Sequence, residues 1–217
     1  YPNNINERNC LELRNTMKEF LDKLEDKESV YWQLIDEYGY KTEDIFDDLI
    51  GLLHAAHQTS HHTVTSVLYF IKRNPEWYVK IKEELNYVGI NENCDYRNAV
   101  TRDVIHNSFN LACVVKETLR IDPAGNRSLK YLAYNDVNIS GVPIPKGSNV
   151  FVSILSAHYN TQQWPETERF IPERFDPQSE YYHSADRYKA PRHPLSYIPF
   201  SFNIRKCPGM VLALTES

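Results

Sequence analysis

Apolar residues recur at helical spacing through the first half of the chain, and then the texture changes. Residues 7–26 set Leu11, Leu13, Met17, Phe20, Leu21 and Leu24 among charges, which predicts an amphipathic helix. Residues 29–37 predict a second, shorter one. Thr42, followed by Glu43 and Asp44, reads as the cap of a long segment running unbroken to Arg73, just before Asn74-Pro75. At 1.5 Å per residue such a helix is roughly 48 Å long, the span of a whole domain. Pro75 opens a further helix over 75–87, and a polar loop covers 91–98. A helix over 101–121 follows, apolar through Val104, Ile105, Phe109, Leu111, Val114, Val115 and Leu119. Residues 127–155 then alternate short β-type runs with Gly and Pro turn signals, and Val150–Leu155 is the strongest strand. A proline-rich irregular stretch, 165–199, leads to a cysteine at 207, and within it 180–196 reads as a surface loop. The pattern predicts a mainly α architecture with a long central helix and a small β region before the cysteine loop.

Charge removes one class of function. Lys and Arg number 24 against 29 Asp and Glu, a net charge of −5, which gives nucleic acid no electrostatic footing. No run approaches the ~18 apolar residues of a membrane span. Cys10, Cys94, Cys113 and Cys207 are scattered without a Cys-x-x-Cys pair, so neither a disulfide framework nor a zinc ribbon is implied, and a reducing compartment is expected.

Chemistry concentrates at three places. Cys207 ends the run Phe200-Ser-Phe-Asn-Ile-Arg-Lys-Cys and precedes Pro208-Gly209 and the apolar Met210–Leu214, a helix start. A thiol there ionises readily and makes a good haem-iron ligand, although a lone cysteine is more often a buried structural residue. Glu117 and Arg120 share a helix face at i and i+3, ordinarily a weak pair. Pro172-Glu-Arg-Phe175 follows about 55 residues later, and Cys207 about 32 residues after that. Third, the centre of the long helix reads His54-Ala-Ala-His-Gln-Thr-Ser60. His57 and His61, at i and i+4, have zinc-ligand spacing, but no acid or cysteine completes that set.

Taken in order, these motifs resemble the cytochrome P-450 family. Its haem loop reads Phe-x-x-Gly-x-Arg-x-Cys-x-Gly. Phe200, Arg205, Cys207 and Gly209 match it, while Asn203 stands in place of the first glycine. Its oxygen-binding helix reads Ala-Gly-x-(Asp/Glu)-Thr-(Thr/Ser). Ala55, Thr59 and Ser60 match, while Ala56 replaces the glycine and Gln58 the acid. The resemblance covers nearly the whole chain, including Trp164-Pro165, and implies one partial domain over 1–217. That domain would be a C-terminal half, with the N-terminal half and the extreme C-terminus absent.

The resemblance implies haem b (iron protoporphyrin IX) with Cys207 as axial ligand. Phe200 and Gly209 would shape the ligand loop. Arg205 and Arg127 would bind the haem propionates, with Lys130 and His158 as further candidates. Glu117, Arg120 and Arg174 would form a buried structural triad, and Thr59, Gln58 and Ser60 would serve oxygen activation. The implied activity is that of a monooxygenase acting with dioxygen on an apolar small molecule. Residues 52–59 and 124–128 would line part of the pocket. Electrons would come from NADPH through a flavoprotein reductase, or from a ferredoxin. The implied location is the cytosolic face of the endoplasmic reticulum, anchored by a segment outside this sequence, in a eukaryote, and the cytoplasm in a bacterium. Gln58 and Ala56 leave open a haem-thiolate isomerase or dehydratase that needs no reductase. Asn203 leaves open a non-catalytic haem-binding protein.

Overall fold

The computed structural model describes residues 5–24, 29–184 and 190–216. The chain falls into two units that meet within the long helix, one ending at Gln58 and the other beginning at Thr59. Among the described residues no helix is long and apolar enough to cross a membrane.

The first unit holds α1 (Ile5–Asp22), α2 (Val30–Asp36) and the start of α3 (Thr42–Arg73). Its core is Leu21, Tyr31 and Ile45, flanked by Met17, Trp32 and Phe46. The Trp32 indole donates to the Leu24 carbonyl (3.0 Å), closing the turn after α1. Residues 25 and 26, expected at the end of this first helix, lie outside the described residues. Thr42 is the first residue of α3 and does not stand before it as a cap. Ile45 N–H already donates to the Lys41 carbonyl (3.2 Å).

The second unit continues α3 and adds α4 (Pro75–Tyr87), α5 (Tyr96–Ala99), α6 (Arg102–Asn107), α7 (Phe109–Ile121), α8 (Ile154–His158) and α9 (Met210–Glu216). Val67 of α3, Trp77 and Ile81 of α4, and Val114, Val115 and Leu119 of α7 form its core, with Phe170 and Phe200 packed against it. Burying such side chains stabilises by about 1.5–3 kcal/mol each before entropy is set against it.

Three expectations give way to local hydrogen bonding. The helix over 101–121 divides at Ser108, whose hydroxyl donates to the Val104 carbonyl (2.8 Å). α7 then starts afresh because the Glu84 carboxylate, reaching from α4, accepts the N–H groups of Asn110 (2.7 Å) and Leu111 (3.1 Å). Within 91–98, Asp95 accepts from Arg97 N–H (3.2 Å) and nucleates the turn of α5. The expected strand Val150–Leu155 is cut short. β1 (Tyr131–Leu132) pairs antiparallel with β4 (Asn149–Val150), and β2 (Val137–Ile139) pairs with β3 (Val142–Ile144). Ser153 then accepts from Ser156 N–H (3.1 Å) as the cap of α8, so the hydroxyl wins over the β-branched run before it.

Candidate functional site

The last turn of α7 carries Glu117 and Arg120, both with no exposed surface. Three positions apart on a helix, they meet in a bidentate pair. Arg120 Nε donates to Glu117 Oε2 and Nη2 to Oε1, each at 2.8 Å. Arg174, from the 3₁₀ turn Pro172–Phe175, donates to the same Oε1 (3.1 Å), which also accepts Ile171 N–H (3.0 Å). One carboxylate thus faces two buried cations, and carbonyl dipoles supply the rest. Arg120 donates to the carbonyls of His158 (3.1 Å) and Arg169 (3.2 Å), and Arg174 to that of Glu166 (2.8 Å). Burial still holds the Arg174 guanidinium below its usual range, with Glu117 opposing the shift.

A surrounding layer went unassigned in the sequence. Arg192 lies in the stretch expected to be surface loop, but is half-buried. Its guanidinium donates to the carbonyls of Gln163 (3.0 Å), Arg174 (3.0 Å) and Tyr181, and stacks over Trp164 at 4.2 Å. Burial pulls its pKa down to about 10. Trp164 is 1% exposed and anchors its indole on the Ser196 carbonyl (3.1 Å). Tyr197 donates to the Lys116 carbonyl (3.0 Å), and burial raises its pKa. The one signal for this layer was the pairing of large aromatics with cations in a proline-rich stretch. Residues 185–189 of that stretch lie outside the described residues.

From this base the chain runs to the cysteine loop. Ser201 N–H donates to the Ile198 carbonyl, and Cys207 N–H to the Phe200 carbonyl, both at 2.9 Å. Ser201 (φ 62°) and Asn203 (φ 59°) take left-handed conformations that turn the backbone back on itself. Asn203 therefore does the conformational work of a glycine. Cys207 is free and exposed, and a Cβ at Gly209 would sit 3.9 Å from its sulfur, so glycine keeps one side of the thiol bare. Cys113 contrasts with it, buried in the core with its thiol pushed up to about 11, mainly by burial.

The donor set at Cys207 defines what it could hold. Zinc takes four protein donors, or three and a water. Among the described residues no group of three His, Cys, Asp or Glu is assembled for a metal ion, and the His57/His61 spacing is not completed into one. A single thiolate suits a metal that brings its other ligands with it, as a porphyrin does. Arg205 reaches the Lys130 carbonyl (3.5 Å) and lies over the Tyr131 ring (5.3 Å). Arg127 stacks over Phe151 (4.6 Å) and lines a recess of about 270 Å³ with Asn126, Ser153 and Leu155. His158 is not available as an anion-binding group, because both its ring nitrogens are used inside the fold.

On α3, Thr59 is exposed and its carbonyl accepts the Thr63 hydroxyl (2.9 Å). Ser60 donates to Glu216 Oε2 (3.2 Å), tying the middle of α3 to the helix that follows Cys207. One turn on, Ser66 donates to Asp122 Oδ2 (2.6 Å) and His62 Nε2 lies 3.2 Å from the same oxygen. Gln58 is exposed and belongs to the first unit. The structure thus brings the three triad residues together, sets Arg205 beside Lys130, and leaves Arg127 in a recess of its own.

The family model described as Cytochrome P450 matches residues 4–217. The chain is 34% identical over 164 residues to Cytochrome P450 3A41 of Mus musculus, covering 76% of this chain and 30% of that protein. It is 35% identical over 183 residues to (1S)-1-hydroxy-luvungin A synthase CYP88A37 of Citrus sinensis, covering 83% and 34%. It is 30% identical over 211 residues to Cytochrome P450 4V2 of Rattus norvegicus, covering 96% and 36%. The chain spans about a third of the length of these relatives. With a family match over residues 4–217, the chain belongs to the cytochrome P450 family.

Proposed function

We propose that the full protein is a haem-thiolate monooxygenase that inserts one atom of dioxygen into an apolar organic substrate. The observation that carries the reading is a bare thiol, Cys207, on a loop continuous with the buried Glu117–Arg120–Arg174 cluster. Haem b held through that thiol would supply the dioxygen-activating chemistry. The residues of this chain do the rest. Cys207 would hold the haem iron, and the N–H bond it donates to the Phe200 carbonyl keeps it in place. Gly209 leaves the sulfur accessible, and Phe200 closes the loop against the core. Arg205 and Arg127 would pair with its propionates. The Thr59 and Ser60 hydroxyls hold and pass protons, and the Gln58 amide orients water without itself ionising. Residues 124–128 would line part of an apolar pocket.

Electrons are drawn from NADPH through a flavoprotein reductase, or from a ferredoxin. In a eukaryote the protein works on the cytosolic face of the endoplasmic reticulum, and in a bacterium in the cytoplasm. The similarity to mammalian relatives named Cytochrome P450 supports the first setting. Residues 1–217 form part of one domain, a reading supported by the family match over residues 4–217. One observation favours a second reading. Positions 57–61 are His, Gln, Thr, Ser and His, with no carboxylic acid among them, which suits rearrangement or dehydration of an already oxidised substrate without a reductase.

The absorption spectrum of the reduced, carbon monoxide-bound full-length protein tests the assignment. A strongly red-shifted Soret band, lost in Cys207→Ala, is expected. A haem spectrum without that shift overturns it. Turnover of a hydroperoxide without reductase selects the second reading.

A further inference from the structure

We infer that His158 is a positioning residue for the thiolate loop, coupling the buried cluster to Cys207 through a neutral imidazole in one fixed tautomer. The inference rests on the proposal that Cys207 ligates haem. His158 closes α8 and has no exposed surface. Its two ring nitrogens bridge two parts of the chain. Ile198 N–H donates to Nε2 (2.9 Å), and Nδ1 lies 3.1 Å from the Arg120 carbonyl. An amide N–H only donates and a carbonyl only accepts, so Nε2 is bare and Nδ1 carries the proton. No other protonation state satisfies both partners.

The bridge is reciprocal at one end. Arg120 Nη1 donates to the His158 carbonyl (3.1 Å) while the His158 ring donates to the Arg120 carbonyl, so neither residue moves without the other. At the other end the ring holds the amide that opens the ligand loop. Ile198 accepts from Ser201 N–H, and Phe200 accepts from Cys207 N–H. The path from Glu117 through Arg120, the His158 ring, Ile198 and Phe200 to Cys207 is therefore continuous in hydrogen bonds and short peptide steps. His158 also stacks on Tyr197 at 5.4 Å with the rings 22° apart, which fixes the plane in which its nitrogens point. A side chain that both donates and accepts lets the cluster hold the loop in register, alongside the Tyr197–Lys116 and Trp164–Ser196 bonds.

The test uses the full-length, haem-loaded protein. His158→Phe keeps the ring and its stacking but removes both hydrogen bonds, and His158→Gln keeps a donor and an acceptor on a flexible stem. In His158→Phe the red-shifted Soret band of the carbon monoxide complex is expected to be lost in large part to the unshifted form. Amide exchange at Ile198 should quicken about tenfold, the size expected for one lost hydrogen bond, and His158→Gln should recover most of both. An unchanged band and unchanged Ile198 exchange in His158→Phe overturn the inference, as does a Gln variant as damaged as the Phe variant. If His158→Phe does not fold, 15N spectra of histidine-labelled wild-type carbon monoxide complex decide. A neutral ring protonated on Nδ1 supports the inference, and a charged or Nε2-protonated ring overturns it. A wild-type protein lacking the red-shifted band removes the ligand assignment itself, a result distinct from all of these.

Discussion

The Glu117 cluster and the Cys207 loop lie along one continuous path yet are built on opposite terms. In the cluster, Glu117, Arg120, Arg174 and His158 are wholly buried, and nearly every donor is matched to a carboxylate or a carbonyl. In the loop, Cys207 is exposed, Ile204 is 94% exposed, and two residues occupy left-handed conformations. The cluster gains its rigidity from charges that cannot leave without being stranded in a low-dielectric interior. The loop has no such store of interactions and takes its geometry from the few backbone bonds that connect it to the cluster. Buried polar packing and an exposed sulfur are thus separated along the chain.

The separation is broken most severely at its foundation. Glu117→Ala leaves Arg120 and Arg174 facing each other without their shared carboxylate. A loss of about 3–5 kcal/mol of folding stability is expected, as for a buried pair stripped of one partner. Denaturant unfolding of the full-length protein measures it. A loss no larger than that of a surface ion pair would show that the carbonyls alone neutralise the two cations.

Acid gives the next largest effect, through His158. Burial, helped by the Arg120 charge, pulls its pKa down to about 4 from an ordinary 6.5, while its bond to the Arg120 carbonyl opposes the shift. Between those values the unfolded chain binds a proton that the folded chain refuses. The contribution is therefore whole above about pH 6.5 and is lost as pH falls toward 4. At about 1.4 kcal/mol per pKa unit it amounts to something on the order of 3 kcal/mol. Unfolding measured across that window should slope downward in the wild type and be flatter in His158→Gln. Equal slopes assign the acid sensitivity to other groups.

These two residues also mark the limit of what could be read from the chain. The cluster is legible because Glu-x-x-R and Pro-Glu-Arg-Phe are short motifs in a fixed order, and helix periodicity alone puts Glu117 and Arg120 on one face. The long helix over 42–73 is legible for a similar reason, since one apolar period runs unbroken from Thr42 to the Asn74-Pro75 stop. His158 and Arg192 are not legible. Their partners are main-chain carbonyls and amides far away in sequence, and backbone groups leave no mark on residue identity. The expectation that 180–196 is surface loop follows polarity, yet Arg192 puts that polarity to use inside the fold. The break at Ser108 and the short β4 fail in the same way, each decided by one polar side chain against a longer apolar period.

Glu84 holds the opposite end of α7 from the cluster. Its carboxylate caps α7 by accepting two backbone N–H groups and the Asn110 amide (3.2 Å), from a helix 26 residues earlier. Glu84→Ala should cost about 1 kcal/mol, the usual size for a lost N-cap. The cost should appear in the unfolding midpoint with no change in the spectrum of the Cys207 site, because the Glu117 end of α7 is held by its own bonds. A spectral change accompanying it would mean that α7 transmits strain along its length.

The smallest effect belongs to the loop. Asn203 occupies φ 59°, where a side chain with a Cβ ordinarily costs about 1–2 kcal/mol, a penalty that asparagine partly escapes. Asn203→Gly removes the rest of that penalty. It also restores backbone freedom to the unfolded chain, worth roughly 0.5–1 kcal/mol in the opposite sense. The two terms nearly cancel, so stability should move by less than about 0.5 kcal/mol, the ordinary range for an exposed position. Asn203→Val should be clearly destabilising, since a β-branched side chain fits the left-handed region worst. Measured together, the pair separates conformation from contact. If glycine is neutral and valine harmful, position 203 requires only a left-handed backbone. If glycine is as harmful as valine, the Asn203 side chain contributes a contact of its own, and the loop depends less on the cluster than its hydrogen bonds indicate.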